Sequence, residues 1–204
     1  MKEELSSIMI FHASVRSFGP ETTFNYEDCG LYEKVDQYGS IELKSPTQSK
    51  ISDTPELAAS KQPAGAIMAV AKNLLNDYGD PRETDITEKI SVYQIQIEPD
   101  VDCSQSTFGD FAVLEEVRVR DETKFPLTGK RIGSVDIPKQ LFIDVDLMYL
   151  PQMYLESTSV LNNWGESVRE GITQYLNTGV YPTIDETYSV ERPNKDAYRR
   201  QTQY

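Results

Sequence analysis

From Phe111 to Val119 the chain alternates with a period of two, and this pattern limits the fold more than any other stretch. Phe111, Val113, Val117 and Val119 fall on one side of an extended chain, with Glu115 among them. Ala112, Leu114, Glu116, Arg118 and Arg120 fall on the other. The pattern predicts a strand with one buried face, entered through a Gly109-Asp110 turn. Two carboxylates need a reason: Asp110 at the start and Glu115 on the apolar side. An ionised carboxylate on a core face is costly unless it is paired or opens onto a cleft. Either a β-bulge turns Glu115 outward and Asp110 is an ordinary turn residue, or the beginning of the strand lines an active site.

Other strands flank this one in the sequence. Ser7 to Ser14 is nearly all apolar, which predicts a central strand, and it carries His12, the one histidine of the chain. Ile90 to Ile97 places Tyr93, Ile95 and Ile97 on one side and Val92, Gln94 and Gln96 on the other. Pro126 and Gly129 mark a turn before a further strand at Ile132 to Ile137. Residues 16 to 48, with Gly19-Pro20, Gly30, Gly39 and Pro46, read as a long irregular connection holding a short strand at Ser40 to Leu43.

Helices are signalled between and after the strands. Asp53 or Thr54 caps a helix start, Pro55 suits its first turn, Glu56 completes a capping box, and Pro63 limits the helix to about two turns. A second helix presents Ile67, Val70, Ala71, Leu74, Leu75 and Tyr78 on one stripe and stops at Gly79-Asp80-Pro81. Leu141 to Leu150, with Asp144 and Asp146 interposed, fits helix or strand. Ser157 or Thr158 caps a further helix with the stripe Leu161, Trp164, Val168, Ile172, Tyr175 and Leu176, ended by Asn177-Thr178-Gly179. The expected division is a domain over 1–138, a C-terminal appendage with one helix over 139–188, and a polar tail over 189–204 that orders on a partner.

The net charge of −13 in 204 residues, with a pI near 4.5, opposes non-specific binding to nucleic acid or anionic lipid and suits a basic partner. Cys29 and Cys103 make no disulfide framework and no metal-type spacing. The N-terminus lacks the pattern of a signal peptide and no apolar run is long enough to span a bilayer, so a soluble, cytoplasmic protein is expected. With one His and no Gly-x-Ser-x-Gly, His-Glu-x-x-His or Gly-rich phosphate loop, hydrolase and nucleotide-loop readings have little support.

Three short motifs recur in order: Phe11-His12-Ala13-Ser14 at a strand end, Ile51-Ser52-Asp53-Thr54-Pro55-Glu56-Leu57-Ala58 entering a helix, and Asp110-Phe111-Ala112-Val113-Leu114 opening a strand. Together they resemble the ADP-ribosyltransferase fold, in its diphtheria-toxin-like and rifampicin-modifying branches, over roughly residues 7 to 137. The resemblance implies an α+β protein: a split β-sheet core with flanking helices and a C-terminal helical appendage. It also implies mono-ADP-ribosyl transfer from NAD, as substrate, to a host or competitor macromolecule or to a small molecule. A toxin-like or phage-encoded protein would carry such an activity.

The roles implied are specific. Asp110 would stabilise the oxocarbenium-like state near the ribose 2′-hydroxyl. His12 would hydrogen-bond the adenosine ribose, with Ser14 beside it, while Ser52 would brace the carboxylate or contact the nicotinamide ribose. Glu115 or Glu116 would orient the acceptor. The family's second motif supplies a Tyr that stacks on nicotinamide; Lys50 and Ile51 stand there, which leaves Tyr38 or Tyr32 of the preceding loop as stand-ins. No metal is implied. The competing reading is a non-catalytic binding or assembly protein, a phage or virion component or an inhibitor, with an acidic surface and a C-terminal tail that docks on its partner.

Overall fold

A computed structural model describes residues 7–26, 32–35, 41–44, 56–78, 81–83, 85–98, 103–105, 114–154 and 158–184. Their elements run β1 (Ile8–Ser14), β2 (Glu21–Phe24), β3 (Tyr32–Val35), β4 (Ile41–Lys44), β5 (Leu57–Ser60), α1 (Pro63–Tyr78), β6 (Lys89–Ile97), β7 (Cys103–Gln105), β8 (Glu116–Val119), β9 (Leu127–Asp136), α2 (Lys139–Tyr154) and α3 (Thr158–Thr178). The protein is mixed α+β. An open antiparallel sheet of seven strands runs β2-β9-β6-β1-β5-β8-β7, and β3 and β4 form a separate hairpin. The nearly all-apolar β1 is fourth of the seven, as its composition predicts.

Alternation sorts the strand residues onto two faces. Phe11, Ala13, Ile90, Val92 and Val135 meet the helices, in one cluster with Ile67 and Ala71 of α1, Phe142 and Val145 of α2, and Trp164, Val168 and Ile172 of α3. Ile10, Tyr93, Ile95, Val117 and Val119 form a second cluster on the other face with Phe24 and Leu127. That face is concave. Three strand steps separate β1 from β2, roughly 14 Å in a flat sheet, yet the rings of His12 and Phe24 are only 5.2 Å apart.

Two local features account for the curl. The register of β6 against β9 slips between Val92 and Tyr93, leaving Ile132 as an extra residue that bends β9. Gly129 lies inside β9 rather than in the expected turn, because the Phe24 ring sits over it and a Cβ there would come within 2.6 Å of Phe24 Cε2.

The expected helix at Leu57 is a strand. Leu57 to Ser60 pair with β8 along their length and with β1 at Ser60, so sheet pairing outweighs the local capping signal. Glu56 is not a capping acid either: Arg118 Nη1 and Arg120 Nε each donate to it at 2.7 Å. Pro63, expected to end a helix, opens α1, where its missing N–H costs nothing. The strand expected from Phe111 is interrupted at Leu114 and Glu115, which form a turn before β8 begins at Glu116; Phe111 to Val113 lie outside the described residues.

At the C-terminal end, residues 139–188 hold two helices rather than one, because Leu141, Phe142, Val145 and Met148 make a helical stripe buried in the common core. α3 stops at Gly179, whose φ of 73° suits a glycine. Ser157 and the tail over 189–204 lie outside the described residues.

Candidate functional site

The concave face changes from apolar to polar along its length. Cross-strand rows read Ile10–Ile95–Gly129, then His12–Tyr93–Arg131, then Ser14–Ser91–Ser134, all on the side that faces away from the helices. The Ser91 and Ser134 hydroxyls are 3.0 Å apart. Lys89 closes the end, its ammonium 3.7 Å from Asp136.

A loop over residues 15–20 arches across these rows. The Tyr93 hydroxyl accepts the Phe18 N–H at 2.7 Å and donates to Gly19 O at 3.4 Å. Arg131 donates its backbone N–H to Pro20 O and its Nη1 to Ser17 Oγ, both at 2.9 Å. Gly19 takes a φ of 94°, which lets the chain turn back at that point. Beneath the loop lies a cleft of about 550 Å³ whose polar lining is Ser17, Lys89, Ser91, Arg131 and Ser134, with Gly133 and the apolar Val15 and Ile132 completing the wall.

His12 stands at the boundary between the apolar and polar rows. Its Nδ1 lies 2.9 Å from Ala58 O. A carbonyl only accepts, so Nδ1 carries the proton and Nε2 is the acceptor. Burial pulls the His12 pKa below its ordinary 6.5, against the smaller upward pull of the Ala58 carbonyl, so the ring is neutral at pH 7.

Of the residues singled out in the sequence, the structure brings His12 and Ser14 together on the concave face. Glu115 is elsewhere: in the turn before β8, at φ 49°, with its carboxylate 3.1 Å from Arg169 of α3. Glu116 is tied to Arg118. Asp110, Ser52 and Tyr38 lie outside the described residues. Tyr93, read as core, is fully buried, but its hydroxyl also anchors the arching loop.

Ser91, Ser134, Lys89 and Arg131 were not found from the sequence. Ser91 was visible as the point where the Tyr93, Ile95, Ile97 alternation turns polar; Ser134 and Arg131 needed the β6–β9 register. Ser60 was also missed. It is 2% exposed, and its hydroxyl donates to Leu114 O at 2.7 Å and accepts from Gln62 N at 3.1 Å, joining β5, α1 and the turn before β8.

Among the described residues, no group of three or more His, Cys, Asp or Glu is placed to hold a metal, and no helix is long and apolar enough to cross a membrane. No protein-family model, curated protein or solved structure matches the chain.

Proposed function

We propose that the chain binds NAD at the His12–Ser14 end of the concave face and transfers its ADP-ribose to a macromolecular acceptor. The observation that carries this reading is the state of His12. It is neutral, its Nδ1–H is held by Ala58 O, and its Nε2 is left as an acceptor for a ribose hydroxyl, on the same face as Ser14. The transfer step rests on Asp110, with the carboxylate stabilising positive charge on the ribose as nicotinamide leaves.

Calorimetric titration with NAD, alongside His12→Ala, tests the binding step. Saturable binding that the variant loses supports the reading; a folded wild type that takes up no NAD defeats it. Transfer of labelled ADP-ribose should then disappear in Asp110→Asn.

A non-catalytic assembly role is the second reading, favoured by the ion pair that holds Glu115 against Arg169 and by the net charge of −13. It predicts a complex with a basic protein, seen by light scattering and weakened by salt, that forms equally well with Asp110→Asn.

A further inference from the structure

We propose that the cleft under the 15–20 loop is a site for a phosphate group, borne either by inorganic phosphate or by a larger phosphorylated ligand. The proposal goes beyond the NAD reading and stands without it. Its basis is the direction of the hydrogen bonds in the cleft. Arg131 Nη1 can only donate, so Ser17 Oγ accepts from it and the Ser17 hydroxyl proton remains to be given. Of the paired Ser91 and Ser134 hydroxyls, one donates to the other, and the second proton is likewise available. Lys89 and Arg131 add further donors and two positive charges on the wall of the same cleft.

The polar part of the lining, beside the apolar Val15 and Ile132, is thus rich in donors and matches a ligand that only accepts. The donors on two cations and the serine hydroxyls outnumber the two oxygens of a carboxylate and suit the three or four of a phosphate. At Gly133 the wall is open, with nothing within 4 Å of where a Cβ would stand. Among the described residues, Asp136, 3.7 Å from Lys89, is the acidic group set against these cations. Both partners are well exposed, at 65% and 82%, so the pair is loose and an anion can draw Lys89 away from it.

The test is titration of the full chain with inorganic phosphate and with pyrophosphate at low ionic strength, followed by phosphorus NMR and calorimetry. Saturable binding is expected, weakened about tenfold by Arg131→Gln through loss of a charged hydrogen bond and strengthened by Asp136→Asn. Since Arg131 also ties down the loop, the paired change Ser91→Ala with Ser134→Ala is a milder probe and should weaken binding as well. Affinity for inorganic phosphate alone points to the free ion, whereas affinity for pyrophosphate only points to a larger ligand. Phosphate binding should survive His12→Ala, which separates this proposal from the NAD reading. No saturable binding of either probe by folded wild type, or unchanged affinity when Lys89→Gln and Arg131→Gln are combined, overturns it.

Discussion

Two polar groups on this sheet are built in opposite ways. Between β5 and β8, Glu56 is 2% exposed and takes one guanidinium on each oxygen, from Arg118 and Arg120, while Arg118 also holds Glu116. In the pairs formed among the described residues two carboxylates face two guanidiniums, so these charges are matched, and in that sense the group is closed. At the polar end of the concave face Arg131 meets the Ser17 hydroxyl and Lys89 the exposed carboxylate of Asp136, the acidic partner set there among the described residues, so donors are left over. A polar group whose charges are matched and buried holds strands together; one with an excess of a single kind can take a ligand.

The largest effect is expected where the closed group is broken. Glu56→Gln removes the charge that faces Arg118, itself only 13% exposed, and should destabilise the fold by on the order of 3 kcal/mol, measured by urea unfolding. Arg120→Ala should cost less than Glu56→Gln, because Glu56 keeps Arg118 and water can reach the place of Arg120, whose side chain is 43% exposed. Equal losses in the two variants would show that the group is not closed around Glu56.

Next comes the junction behind that group. Gly65 sits in the first turn of α1, where a Cβ would lie 2.2 Å from Leu114 O and 2.3 Å from Ser60 Oγ. Gly65→Ala normally favours a helix by up to about 1 kcal/mol. Here overpacking should reverse the sign, with a net loss of about 1–3 kcal/mol. A stabilised variant in thermal unfolding would mean that α1 can slide away from the turn.

How much of this was legible beforehand depended on the range of the interaction. β1, β6, α1 and α3 follow from local periodicity; Ile67, Ala71 and Leu74 of one stripe and Trp164, Val168 and Ile172 of the other are buried as expected, whereas Leu176 is exposed and the side chains of Tyr78 and Leu161 lie outside the description. β5 was misread because Asp53 and Glu56 imitate a capping box, and the pairings that decide the matter, with Arg118 and Arg120, lie more than sixty residues away. Gly129 imitates a turn for the same reason, since Phe24 is remote in sequence. The nearness of His12 to Ser14 was legible because they share one face of one strand. Arg131 and Ser134 became visible only through the register and its bulge.

A smaller effect tests the boundary between the apolar and polar rows. The folded protein resists protonation of His12, whose pKa burial holds below 6.5, whereas the unfolded chain takes up that proton at its ordinary value. The contribution of His12 to stability is therefore intact above pH 6.5 and is lost as pH falls from 6.5 towards the folded pKa. Unfolding midpoints measured from pH 7 downward should decline less steeply in His12→Gln. Matching slopes in the two proteins would place the acid sensitivity at other groups.

The smallest effect should come from the open group itself. Lys89 and Asp136 form an ion pair in the same formal sense as Arg118 and Glu56, but at 3.7 Å and with exposures of 65% and 82% water screens the attraction. Lys89→Gln should change the unfolding free energy by less than about 0.5 kcal/mol, while still reducing phosphate affinity, since the cleft loses one of its two cations. That combination is the signature of a charge held for a ligand and not for the fold. A stability loss comparable to that of Glu56→Gln would place Lys89 with the closed group, and the contrast between the two ends of the sheet would fail at its cationic end.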